Sequence, residues 1–201
     1  HKKLGYLRSI FDFDAGVQGT AAMTGVINDK GAWFFVDTHV QMDPSAEQIA
    51  EATMQAAYRL KLFGIEPKVA LLSHSNFGSH QDASAAKMRQ AYEIIRRRMP
   101  KLEVDGEMMA DTAWDESLRQ RMFPNTTLKG RANLFVFPNL DAANITYNMV
   151  RMMTEGVAIG PILMGLDQPA HILTPASTSR RVINMTAIVA VEAQIRAAMT
   201  K

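Results

Sequence analysis

Short apolar runs without alternation, each released into a polar turn and then into a helical pattern, constrain this chain more than any other feature of its sequence. Residues 68–73 and 133–137 are of this kind. Both are too short for stable helices, and a strand that is apolar on both sides is one covered on both faces. Between and around them the periodicity is helical. Pro44 and Ser45 open a helix in which Gln48 completes a capping box with Ser45. Ile49, Ala52, Ala56, Leu60 and Phe63 mark its apolar face, and Gly64 supplies its stop. Residues 81–99, 112–121, 141–154 and 179–199 read as further helices, and 22–28, 32–38 and 102–108 as further strands. The first two of these strands flank Asn28-Asp29-Lys30-Gly31, a hairpin signal. Val182, Ile183, Ile188, Val189, Val191 and Ile195 cover more than one face of the last helix, which predicts its burial. Strands alternating with helices predict an α/β fold of packed layers. No repeat, linker or low-complexity tract interrupts the 201 residues.

Composition then removes several classes of function. A net charge of +2 gives no footprint for nucleic acid, and Arg96-Arg97-Arg98 closes a predicted helix, where cations meet exposed carbonyls. With no cysteine there is neither a disulfide nor thiolate chemistry, and the five histidines never fall at metal-ligand spacing. No apolar stretch approaches the roughly 20 residues that span a bilayer, and no signal peptide opens the chain. The expectation is a cytoplasmic protein without a membrane or metal partner, whose glycosylation-like triplets at Asn125, Asn144 and Asn184 are idle. The start at His1-Lys2-Lys3, without an initiator methionine, reads as a fragment of something longer.

Ligands of open α/β sheets bind beyond the carboxyl ends of the strands, and three polar turns follow predicted strands here. In Ser73-His74-Ser75-Asn76-Phe77-Gly78-Ser79, hydroxyls, an amide and glycine-freed backbone N–H groups suit a phosphate or a pantetheine amide, although such loops are commonly helix caps. Val104-Asp105-Gly106-Glu107, leading to Asp111, offers three carboxylates for acid–base work or a hard cation, or equally for bonding loop backbone. In Phe137-Pro138-Asn139-Leu140-Asp141-Ala142-Ala143-Asn144, Asn139 or Asp141 is placed to cap a helix whose first turns carry Asn144 and Tyr147. Met149, Met152 and Met153 suit a core or a subunit interface, and His74 and His171 are possible acid–base groups without an evident partner.

Together these turns resemble the phosphotransacetylase and phosphotransbutyrylase family. The resemblance runs in order through Asp37-Thr38 and Pro44, Pro67 to Ser79, Val104 to Asp111, Lys129-Gly130 with Ala132-Asn133, Phe137 to Tyr147, and Gly160-Pro161 with Gly165 and Pro169. It implies an isocitrate dehydrogenase-like layered α/β fold of two subdomains with an acyl-CoA cleft between them and a dimer through the second. On that basis residues 1–30 are part of the first subdomain, 31–165 the second, and 166–201 a return to the first.

The pattern departs from the family at one stretch. Active members carry a segment similar to Asn-Asp-Leu-Ser-Arg-Gly after the Pro169 position, with an aspartate six residues beyond the arginine. The resemblance implies that the arginine holds the acyl phosphate and that the aspartate acts on the CoA thiol. Here Thr174 stands for the serine, Pro175 for the arginine and Arg181 for the aspartate, and a second family arginine aligns with Met152, beside Arg151. Proline supplies no charged fork and arginine accepts no proton. The sequence from Ile172 to Pro175, with Arg180-Arg181 and Asn184-Met185-Thr186, is similar to the C-terminal domain of multidomain NADP-dependent malic enzymes. That likeness implies a domain without catalytic residues, holding acetyl-CoA as an allosteric ligand and building a homo-oligomer, with NADP and a divalent metal in the parent's catalytic part. The expected ligand-binding residues are Ser73, Asn76 and Ser79 in the pocket wall, Asn144 and Thr174 near the pantetheine arm, and Arg181 and Asn184 at the nucleotide end. An active acyltransferase and a purely structural dimerisation module are the competing functions.

Overall fold

The structure, a computed structural model, describes residues 2–175 and 177–199. After a short helix α1 (Lys2–Arg8), β1 (Ala21–Asn28) and β2 (Gly31–Val36) form the expected hairpin. Next come α2 (Ala46–Leu62), β3 (Lys68–Leu72), α3 (Ala83–Arg98), β4 (Glu103–Met108), α4 (Ala110–Trp114) and α5 (Glu116–Met122). The chain closes with β5 (Leu134–Val136), α6 (Leu140–Met153), β6 (Val157–Met164) and α7 (Ser179–Met199). The strands build one six-stranded sheet in the order β4-β3-β5-β2-β1-β6. β2, β5, β3 and β4 run parallel, whereas β1 is antiparallel to both of its neighbours.

The unalternating apolar runs are explained by packing on both faces. Val69, Leu71, Leu134 and Val136 join Phe34 and Val36 under α2 and α3, where Ile49, Leu60, Met88 and Ile95 are buried. The intervening Ala70, Leu72, Phe135 and Phe137 join Trp33 and Phe35 on the opposite face, beneath Ala113 of α4 and Ala143 and Tyr147 of α6. Burying a side chain of this size is worth about 1.5–3 kcal/mol, so a one-residue slip of any central strand would exchange two filled layers.

The capping box forms as expected: Ser45 Oγ accepts from Gln48 N and Gln48 Oε1 from Ser45 N. The expected single helix at 112–121 is two. Asp115 adopts an extended conformation and its carboxylate accepts from Leu118 N, starting a new helix. Neither α1 nor β6 was expected. Pro161 sits inside β6 and masks its strand pattern, and the strand tolerates it because β6 is a sheet edge.

α7 corrects the expectation of burial on more than one side. Met185 and Glu192 are buried, while Val182, Ile183 and Val191 are 44%, 68% and 42% exposed, because nothing in the described residues packs on that side. Met149, Met152 and Met153 of α6 likewise belong to no core; they are exposed along one stripe with Ile145. Among the described residues no helix is long and apolar enough to cross a membrane, and no group of three or more His, Asp or Glu is placed to hold a metal.

Candidate functional site

The loops that leave the parallel strands β2, β3, β5 and β4 share one edge of the sheet. Those after β2 and β3 pass to the α2 and α3 face, while β5, lying between them, sends its chain to α6 on the opposite face. That divergence opens a crevice at the carboxyl ends, and the polar turns found in the sequence converge on this edge as two clusters.

The first cluster centres on Glu107. β4 skips one residue against β3, which pairs Leu71 with Gly106 and Leu72 with Met108, so Glu107 is the bulged residue. Gly106 permits this: its φ is +133°, and a Cβ there would meet the Leu71 carbonyl oxygen at 2.6 Å. The fully buried Glu107 carboxylate accepts at Oε1 from Ser75 Oγ (2.6 Å), Gly78 N (2.9 Å) and Arg89 Nη1 (2.8 Å). Ser75 and Ser79 hydroxyls lie 3.2 Å apart, Ser79 Oγ accepts from Asn76 N, Ser73 Oγ accepts from Ser75 N, and Asn76 Oδ1 accepts from Met109 N. Every hydroxyl and amide proposed for a ligand in this turn therefore also holds the turn itself. Asp105 does the same elsewhere, accepting from Thr126 Oγ1 and Thr127 N. His74 finds an exposed partner in Asp82 at 3.0 Å.

The second cluster gathers residues from three elements. Asn139 caps α6 by accepting from Ala142 N, with Asp141 inside the first turn. One turn on, Asn144 Nδ2 donates to the Thr38 carbonyl at 3.1 Å, joining α6 to the loop after β2. That loop folds around Asp37, whose carboxylate accepts backbone N–H bonds from His39, Val40 and Gln41 at 2.9–3.1 Å. Burial pushes the Asp37 carboxyl up to about 6, against the downward pull of those bonds. The His39 ring shares a 2.8 Å hydrogen bond between Nδ1 and Thr38 Oγ1 and packs edge-on against Tyr147, centroids 6.5 Å apart. From α7, Arg181 Nη2 donates to Tyr147 Oη at 3.3 Å. Burial and the Arg181 charge hold the His39 imidazole below the usual histidine range.

The order of these turns along the chain, rather than any single contact, identifies the arrangement. A family model for phosphate acetyl/butaryl transferase matches residues 2–190. The chain belongs to the phosphate acetyl/butaryl transferase family. The EutD phosphotransacetylase of Staphylococcus aureus superposes with a TM-score of 0.87 at 30% identity, covering 92% of this chain and 58% of that one. An NAD-dependent malic enzyme of Rhizobium meliloti is 54% identical over 178 residues, 89% of this chain and 23% of the relative. An NADP-dependent malic enzyme of Escherichia coli is 47% identical over 195 residues, 96% of this chain and 26% of the relative. The chain thus spans about a quarter of the malic enzymes that it matches.

Within this transferase fold, Asn144 and Arg181 come together around Tyr147, while Ser73, Asn76 and Ser79 form the separate Glu107 cluster. Thr174 and Pro175 are exposed on the segment before α7, and Asn184, half-buried, lies one turn after Arg181. His39 and Tyr147 were not among the expected ligand residues. Tyr147 was visible at the start of a predicted helix and His39 directly after Asp37-Thr38, but their meeting with Arg181 depends on contacts 34 residues and more apart. Two cavities lie elsewhere on the described residues. One, about 1010 Å³, is lined by Trp33, Phe35, Trp114 and Phe135, and the other, about 740 Å³, by Arg59, Glu192 and Arg196.

Proposed function

We propose that this chain is the acyl-CoA-binding, oligomer-forming domain of a malic enzyme and that it transfers no acyl group itself. The observation that carries the reading is Arg181. In the family pattern its position belongs to the aspartate that serves the CoA thiol, and here a guanidinium rests on the Tyr147 hydroxyl beside Asn144 and His39. A guanidinium stays protonated and accepts no thiol proton, but it is well matched to a diphosphate. Pro175, at the position of the acyl-phosphate arginine, supplies no charge.

Similarity to malic enzymes at 54% and 47% identity supports the parent context, and their names include both NAD and NADP dependence. Oxidation of malate, with its nicotinamide cofactor and divalent metal, would be the work of the rest of such a protein. The exposed stripe of Ile145, Met149, Met152 and Met153 supports the oligomer, since methionine-rich apolar surface of this kind is suited to a subunit contact.

Incubating the complete protein with acetyl phosphate and CoA tests the absence of transfer. Losing one electrostatic clamp slows such chemistry by about a hundredfold to a thousandfold, and the base is lost as well. Acetyl-CoA formation should therefore stay at the uncatalysed background. Turnover that saturates in both substrates would establish a working transferase instead.

A further inference from the structure

We propose that His39 is an anion contact of the acyl-CoA site and takes up a proton as the ligand binds, so that affinity rises as pH falls. The inference rests on the acyl-CoA reading of this edge and adds to it a residue and a regulation.

The geometry makes His39 more than a packing ring. Its backbone N–H is tied to Asp37 and its Nδ1 to Thr38 Oγ1, which fixes the imidazole at the end of β2. Among the described residues no hydrogen bond engages Nε2, and the side chain keeps contact with solvent. Tyr147 connects this ring to the guanidinium of α7, its ring packing at a steep angle to the imidazole and its hydroxyl meeting Arg181.

The charged and titratable groups around the imidazole can be named element by element. The loop after β2 contributes Asp37, whose buried carboxyl is already occupied by three backbone N–H groups. From α6 come Tyr147 and Arg151, with the Arg151 guanidinium 6.0 Å from the Tyr147 centroid, and from α7 comes Arg181. Of these charges it is the Arg181 guanidinium that acts on the imidazole, beside one engaged carboxyl. In the free protein this field, together with burial, favours the neutral imidazole. A diphosphate placed against Arg181 reverses the field, and a protonated Nε2–H then donates to the anion rather than facing only cations.

Proton uptake and ligand affinity are linked. If the bound state holds its proton more tightly than the free state, affinity increases as pH falls through the interval between the two titrations. Each unit by which binding raises the histidine titration yields at most a tenfold tightening. CoA carries its own phosphate monoester, which loses charge over a similar range and acts in the opposite direction. That contribution, and any from Asp37, is common to wild type and variant, so the difference between them isolates His39.

The test is titration calorimetry of acetyl-CoA into the complete protein and its His39→Gln variant between about pH 8 and about pH 6.5. Wild type should tighten by about threefold to tenfold relative to the variant. Near pH 7, buffers of different ionisation heat should reveal uptake of up to about one proton by wild type and less by the variant. Uptake in wild type is measured without any substitution, so a poorly folded variant does not remove the test. Binding with equal pH slopes and equal proton uptake would overturn the role of His39 while leaving the acyl-CoA reading in place. Absence of binding across the whole range would overturn both.

Discussion

Replacing Glu192 by alanine is expected to destabilise this chain by about 3–5 kcal/mol, the cost of leaving a buried charge without its partner. Glu192 belongs to α7, and its side chain is fully buried. Arg59 of α2, with a side chain only 5% exposed, places Nη1 at 2.7 Å from Glu192 Oε1. On the other side His171 Nε2 lies 3.2 Å from Oε2. Leu163 N donates to His171 Nδ1, which puts the ring hydrogen on Nε2, towards the carboxylate. The contacts are close without being aligned as hydrogen bonds, so their value is chiefly electrostatic and is confined to a region that water does not screen. With half of α7 exposed, Glu192 and Met185 are its principal buried anchors. Urea denaturation of wild type, Glu192→Ala and the pair Arg59→Met with Glu192→Leu separates the contributions. The double variant should recover most of the loss, because an apolar pair of similar volume needs no charge compensation. Equal destabilisation of both would show that packing, and not the unpaired arginine, sets the cost.

A loss of about 3–5 kcal/mol is likewise expected for Arg119→Leu, for a different reason. Arg119 is fully buried, and its guanidinium hydrogen-bonds to backbone carbonyls. Its guanidinium donates to the carbonyls of Thr112 (2.9 Å), Ala113 (3.4 Å), Leu128 (3.2 Å) and Gly130, tying the end of α4 to the loop that leads into β5. Leucine fills the space but leaves these acceptors buried, at about 1–3 kcal/mol for each one that water does not reach. Arg119→Lys should lie between, since an ammonium is a point donor where the guanidinium is a fork. The two tryptophans, Trp33 and Trp114, have ring centroids 5.2 Å apart, so fluorescence follows the loss of this packing directly. An unchanged denaturation midpoint in Arg119→Leu would mean that the loop closes without it.

What was legible in the sequence was mostly local. Ser45 and Gln48 announce α2 because a capping box is satisfied within four residues. β3 and β5 are legible because a two-sided sheet needs apolar residues at every position. β6 was hidden by Gly160-Pro161, since only the sheet order reveals that its proline lies at an edge. Asp115 looked like an interior helix residue until its backbone turned out. Asn144 was legible as more than a cap, yet its partner, the Thr38 carbonyl, lies 106 residues away. Arg119 and Glu192 carry no local signal for burial, because charged residues in a helical pattern ordinarily face water. Their roles exist only once distant carbonyls and a distant arginine have been brought to them.

The most direct test of the proposed function is titration of acetyl-CoA into the complete protein, with the Arg181→Glu variant alongside. Saturable binding by wild type, weakened by at least about tenfold in the variant, or roughly 1.4 kcal/mol, is the expected result. It would place the acyl-CoA on the edge formed by Asn144, Tyr147 and Arg181. No binding by a wild-type protein whose oligomer is intact would contradict it and leave this domain a scaffold.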